Sequence, residues 1–166
     1  MIGALGNIVR FVSLLFGGLF AGFLLTVLVL ESTLRTVGAT EYTQVRQVEL
    51  ARLDDLASAT LFPTVVATAI LVALGARRRG RVFWLTLAAL LLLVTVLATT
   101  LIFNLPINTD QLGWNVQAPP ADWATVRDRW QTAHAVRTGA ALLAFGCLSL
   151  AAMRASLTTG QPRRLP

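Results

Sequence analysis

The chain has 166 residues, of which 55% are hydrophobic and 13% charged, with a mean hydropathy of +0.69. Soluble domains carry about 25% charged residues, so this chain lacks the polar surface to cover a globule in water. The net charge of +6 does not signal nucleic-acid binding, because the basic residues are not interleaved with aromatics on a soluble face.

All fourteen basic residues are arginine. Arg10, Arg77, Arg78, Arg79, Arg81, Arg154, Arg163 and Arg164 lie near the N-terminus, in one short loop or near the C-terminus, and the eight acidic residues all lie elsewhere. That segregation follows the positive-inside rule, in which arginine-rich segments stay in the cytoplasm. The apolar residues come in long blocks, the signature of membrane-spanning helices.

In chain order, the first span is expected at 8–30, uncleaved because it is too long for a signal-peptide core and no A-x-A site follows. Gly18 and Gly22 form a small-xxx-small pair that invites close helix approach. Glu31, Ser32 and Arg35 end the span. The polar stretch 40–56 has no Gly or Pro and reads as an exposed helix leading into a second span at 57–76, with Pro63 in its first turns. The 77–81 segment is a tight loop, which makes the second and third spans antiparallel neighbours. The third span covers 82–103, and a loop rich in Asn, Pro and Gly follows over 104–121. Asp122 is placed to N-cap a long final helix whose uniformly apolar part is 138–153. Cys147, the single cysteine, reads as a small buried hydrophobe, with no disulfide and no CxxC motif available.

These elements define an all-α integral membrane protein, a four-transmembrane-helix bundle with a helical outer extension. Residues 1–157 form its one domain, and 158–166 a disordered, basic, cytoplasmic tail. It is expected in the cell membrane as a multi-pass protein with both termini cytoplasmic.

The final helix carries the most informative pattern. Trp123, Arg127, Trp130, His134 and Arg137 are spaced 4, 3, 4 and 3 apart and so share one helical stripe roughly 80° wide. Charged groups on a membrane helix turn to the bundle interior or to a wet cavity. Counted at about 1.5 Å per residue from Arg154, Arg10 and Arg81, the levels of His134 with Arg137, of Glu31 and of Asn104 nearly coincide, which predicts a site at the outer end of the bundle. The bland alternatives are interfacial tryptophans, a snorkelling arginine and a Glu31–Arg35 surface pair. One histidine with scattered carboxylates has no metal-ligand spacing, so no metal and no other cofactor is expected.

The Asn-Leu-Pro-Ile-Asn run at 104–108, followed by Trp123, Arg127, Trp130, His134 and Arg137, resembles the anthrone oxygenase family. In that four-helix membrane family an N-x-P-x-N element and a W…R..W…H..R helix recur, and the stretch 42–47 is similar to its Tyr-and-Gln helix. Glu49-Leu50 stands where closer fungal-type members are expected to carry Ile-Asn. The resemblance covers nearly the whole chain. It implies oxidation of an anthrone-like polyketide to its anthraquinone by molecular oxygen, in a family many of whose members have no known activity.

On that reading the substrate is a hydrophobic aromatic small molecule taken from the lipid bilayer. His134 would act as base, Arg137 and Arg127 would hold the anion, and Glu31 would orient His134. Asn104 and Asn108 would orient carbonyl or hydroxyl groups, with Trp130 and Trp123 contacting the rings. The rival reading is a non-catalytic membrane protein, either an accessory subunit of a partner membrane protein or a lipid- or small-molecule-binding module. Transport comes third, since four helices leave little room for a pathway unless the protein forms a homo-oligomer.

Overall fold

The structure, a computed structural model, describes residues 2–77 and 79–159, with side chains from 4 to 156 apart from residue 78. Helix α1 (Ile2–Thr33) ends in a 3-10 turn (Leu34–Thr36), and α2 (Ala39–Leu50) follows. Next come α3 (Leu53–Gly75), α4 (Arg81–Thr99), a π-helical turn (Thr100–Asn104), α5 (Leu105–Leu112) and α6 (Trp123–Thr159). Among the described residues, four stretches are long and apolar enough to cross a membrane: Ala4–Thr36, Leu53–Gly75, Arg81–Leu112 and Trp123–Ser156. The protein is therefore an all-α membrane bundle.

The four long helices pack in a ring, α1 against α3 and α6, and α4 against α3 and α6. Short connections make successive helices antiparallel. Arg10, the 77–81 turn and Arg154 consequently share one end, while α2, α5 and the segment 113–122 cap the other. Arg79 takes a left-handed backbone conformation in the turn (φ 39°), which lets five residues reverse the chain.

Small side chains set the packing. Ala140, Ala141 and Ala144 of α6 meet Ala89, Leu93 and Val96 of α4 and Phe20 and Leu24 of α1. Small residues are what membrane helices need for close approach, since lipid supplies no hydrophobic drive between them. Phe11, Leu19, Phe62, Leu91 and Leu143 point outward as a lipid-facing belt. The buried hydroxyls of Thr60, Thr64 and Thr68 are satisfied within α3, each donating to the carbonyl four residues back at 2.7–2.9 Å.

Several sequence expectations need correction. The close-approach pair is Gly17 and Gly18: a Cβ on Gly18 would lie 3.2 Å from the Phe145 ring, and one on Gly17 3.4 Å from Thr64. Gly22 faces open space. Pro63 lies ten residues into α3, which begins at Leu53, so it is an interior proline rather than a first-turn one. The 40–56 stretch is not an exposed helix: α2 buries Tyr42, Thr43, Arg46, Glu49 and Leu50, and the chain breaks before α3.

The expected loop at 104–121 is helical as far as Leu112. Pro106 does not break it, because the helix has already changed register in the π turn, where the Leu105 N–H reaches back five residues to the Thr100 carbonyl. Asp122 precedes α6 as expected, and its carbonyl accepts the Val126 N–H at 3.1 Å. Of the tail foreseen at 158–166, residues 158 and 159 still belong to α6 and the rest lies outside the described residues.

Candidate functional site

Three helices deliver polar side chains to the capped end, each by the same 4-then-3 spacing that keeps residues on one face. On α6 these are Trp130, His134 and Arg137. On the capped-end part of the α4–α5 helix they are Asn104, Asn108 and Gln111, and on α2 they are Tyr42, Arg46 and Glu49. All nine are buried, and Glu31 of α1 joins them.

Arg46 is the centre of this cluster. Its Nη1 donates to Glu31 Oε1 at 2.9 Å and to Glu49 Oε2 at 2.7 Å. Nη2 donates to Asn108 Oδ1 at 3.1 Å, and Nε to Gln111 Oε1 at 3.1 Å. The guanidinium also lies 4.1 Å from the centroid of the Trp130 ring, a cation–π distance. Asn108 passes the network on: its Oδ1 accepts the Trp130 indole N–H at 2.6 Å, and its Nδ2 donates to both Asp54 oxygens at 3.0 and 3.2 Å. Gln131 donates to the backbone carbonyl and side chain of Glu31 at 2.8 and 2.9 Å. Asn104 Nδ2 donates to the Trp130 carbonyl at 3.3 Å, which leaves its Oδ1 buried with no hydrogen-bond partner among the described residues.

The deeper part of the site is an imidazole–guanidinium pair. His134 stacks on Trp130 with centroids 4.8 Å apart and planes 8° from parallel. Arg137 Nε and Nη2 both donate to His134 Nδ1, at 3.0 and 2.9 Å, and Arg137 Nη1 donates to Thr100 Oγ1 at 3.3 Å. A guanidinium has only donors, so Nδ1 is the acceptor nitrogen. Nε2 then carries the hydrogen and donates to the Leu24 carbonyl at 3.0 Å.

This geometry separates the expected site residues. Trp130, His134, Arg137, Asn104, Asn108 and Glu31 come together, all buried. Arg127 and Trp123 stay outside that group. Arg127 lies 4.9 Å over the Trp123 ring and donates to Asp128, while Trp123 packs on Tyr42 beside Leu34 and Trp114. Glu31 does not orient His134. It neutralises Arg46, and the orientation of His134 comes from Leu24 and Arg137. Nor is His134 a free base here, since its lone pair is already engaged by Arg137. Arg46, Glu49, Gln111, Gln131 and Asp54 were not foreseen.

A cleft of about 290 Å³, its open mouth included, is lined by Arg46, Glu49, Asp54, Trp130 and Arg137 with apolar residues such as Phe23 and Val27. Most of that volume is the open mouth: the space enclosed between the side chains is about 20 Å³, room for about one water, so a ring system enters only where the lining side chains move apart. Burial pushes the Glu49 carboxyl above the usual carboxylate range, aided by the negative charge of Glu31 and opposed by Arg46. Burial, with Glu31 next, likewise keeps Tyr42 a phenol. Among the described residues no three His, Cys, Asp or Glu side chains gather to hold a metal ion.

Fold and site together define a polytopic membrane protein with a cleft at one end of its bundle, lined by two arginines, two carboxylates and an indole. The chain belongs to the anthrone oxygenase family, whose model matches residues 50–147, more than half of its length. Asp54, Asn104, Asn108, Trp130, His134 and Arg137 fall within the matched segment, whereas Glu31, Arg46 and Glu49 precede it. No curated protein and no solved structure matches the chain.

Proposed function

We propose that this protein is an oxygenase that converts a hydrophobic anthrone or related polycyclic phenol to its quinone with molecular oxygen. The observation that carries the reading is the cleft itself, where two buried arginines, two carboxylates and an indole share a wall with apolar side chains that would part to admit the ring system. An anthrone methylene is acidic because the resulting carbanion is delocalised over two aryl rings and a carbonyl. Loss of one proton gives an anion that reacts with O2, forming a carbon–oxygen bond, and loss of water leaves the second carbonyl. One anthrone and one O2 give one anthraquinone and one water, the carbon losing the four electrons that oxygen gains.

Each side chain has work in such a reaction. Arg137 and Arg46 stabilise the enolate oxygen in a site where water cannot compete. Trp130, its ring held between His134 and Arg46, offers the substrate an aromatic edge at the cleft, the unpartnered Oδ1 of Asn104 accepts from a substrate hydroxyl, and Asn108 holds Trp130 and Arg46 in place. His134 acts on the substrate through Arg137, whose fork it holds. Arg127 and Trp123 line the approach from the outer surface. The site lies at the outer face of the cell membrane in this reading, with the arginine-rich end and both termini in the cytoplasm. In a Cys147→Ser background, a cysteine at Gln117 should be labelled by an impermeant thiol reagent added outside. Protection of that residue in intact cells would reverse the orientation.

The functional test is oxygen uptake by purified protein in liposomes given 1,8-dihydroxyanthrone. One O2 consumed per quinone formed, well above the liposome background, is the expected result. A second reading is favoured by one observation, the near-complete internal satisfaction of Arg46: the cluster would then be helix-to-helix glue in a non-catalytic subunit or binding module. Uptake at the background rate would leave that reading standing in place of the first.

A further inference from the structure

Resting on the oxygenase reading, we infer that Glu49 is the proton acceptor of the site, its Oε1 taking the acidic C–H proton of the bound anthrone-class substrate. Glu49 lines the cleft and is 7% exposed. Its carboxylate is held asymmetrically. Oε2 accepts from Arg46 at 2.7 Å, while Oε1 is buried with no hydrogen-bond partner among the described residues. A buried acceptor left unpaired is costly, and Glu49 lies within hydrogen-bonding reach of the Glu31 carboxyl, a contact that forms only once a proton is present, so Oε1 is set to take up a proton when the side chains that cover it move for the substrate.

The other basic groups are occupied. His134 presents no free lone pair on Nδ1 and donates through Nε2. Asp54 accepts from Asn108 on both oxygens, and Glu31 is shared between Arg46 and Gln131. The Tyr42 hydroxyl accepts from Gln111. The charges around Glu49 favour uptake as well. Arg46 on its own helix binds two carboxylates through one nitrogen, the second being Glu31 of α1, and Asp54 of α3 adds a third negative charge at the cleft. Protonation of Glu49 leaves Arg46 and Glu31 as a balanced pair. Arg137 of α6, facing the same space, attracts the negative charge that moves onto the substrate.

In the step itself the methylene C–H bond breaks and an O–H bond forms at Glu49 Oε1. The electron pair stays on carbon and delocalises onto the carbonyl oxygen as an enolate. The negative charge thus passes from Glu49 to the substrate, and the proton leaves later with the water released after O2 has added. Burial of the carboxyl places its titration above the usual carboxylate range, so the proton transfer should rise with pH through that shifted titration.

The experiment is deuterium wash-in at the methylene of 1,8-dihydroxyanthrone in D2O without oxygen, followed by mass spectrometry, alongside oxygen uptake in air. Wild type should exchange. Glu49→Gln should lose about 10²–10⁴-fold of the exchange rate while its thermal stability is unchanged or higher, because a buried charge has gone. A merely structural Glu49 predicts the opposite stability change. Should Glu49→Gln fail to fold, Glu49→Asp decides: a displaced pH midpoint supports the assignment, and an unmoved profile overturns it. Wild-type exchange rates in Glu49→Gln would overturn it and leave the oxygenase reading intact. Exchange by wild type that Glu49→Gln loses, without oxygen uptake in either, would refute the oxygenase reading and keep Glu49 as acceptor. Neither activity in wild type overturns both.

Discussion

Replacing Arg46 with alanine should destabilise the folded protein by about 3–5 kcal/mol, the usual consequence of leaving a buried charge without its partner. The reason is local. Glu31 is fully buried and Glu49 nearly so, and both depend on one guanidinium nitrogen. The substitution also strips donors from Asn108 and Gln111 and removes the cation from the Trp130 face. Combining Arg46→Met with Glu31→Gln should recover much of the loss, because the double variant buries fewer unpaired charges. Unfolding in mixed detergent micelles measures both. A loss below about 1 kcal/mol for Arg46→Ala, the scale of an exposed pair, would mean that water reaches the cluster and that its carboxylates are not held as described.

The second large effect concerns Arg137. Arg137→Lys should lower kcat for 1,8-dihydroxyanthrone oxidation by about 10²–10³, the worth of one well-placed oxyanion donor. Lysine keeps the charge but not the planar fork that reaches His134 Nδ1 and Thr100 together. The loss should appear in kcat more than in KM, with normal elution on size exclusion. His134→Ala removes the partner that fixes the fork and should cost less than Arg137→Lys. Should the His134 variant be the more severe, with wild-type turnover following an imidazole titration, the proton goes to His134 rather than to a carboxylate. Joint loss of folded yield in both variants, with turnover per folded molecule unchanged, would assign the pair to structure alone.

Much of the architecture was legible because hydropathy is a local property. Four apolar blocks and the placement of the arginines sufficed for a four-helix bundle, and the Trp130, His134 and Arg137 spacing located the inward face of the last helix. What escaped was the part set by contacts between segments far apart in sequence. Tyr42, Arg46 and Glu49 have the same 4-then-3 spacing as the α6 stripe, so the rule that found one face could have found the other. It was outweighed by the polarity of 40–56, which reads as solvent exposure when each charge is considered alone. Polar groups 15 and 62 residues apart, such as Arg46 with Glu31 and with Asn108, pair only once the chain has folded. The Asn, Pro and Gly content of 104–121 misled for a different reason, since Pro106 lies inside a helix. A proline ends an α-helix by withholding a donor, but a helix that is already changing its hydrogen-bond step tolerates the gap.

The π-helical turn at Thr100–Asn104 divides one continuous rod into two parts that are aimed separately. An extra residue in a turn, at about 100° per residue, sets everything beyond it back by roughly a quarter revolution. Below the turn, Ala89, Leu93 and Val96 keep the membrane-spanning half seated against α6, and above it Asn104, Asn108 and Gln111 point into the cleft. Evolution can therefore re-aim the upper half by gaining or losing one residue in the turn, while the lipid-facing pattern below stays in place. Deleting a single residue there would swing Asn108 away from Trp130 and Arg46 without changing any side chain of the site. In such a helix, length is as heritable a determinant of ligand choice as the identity of the residues that line the cleft.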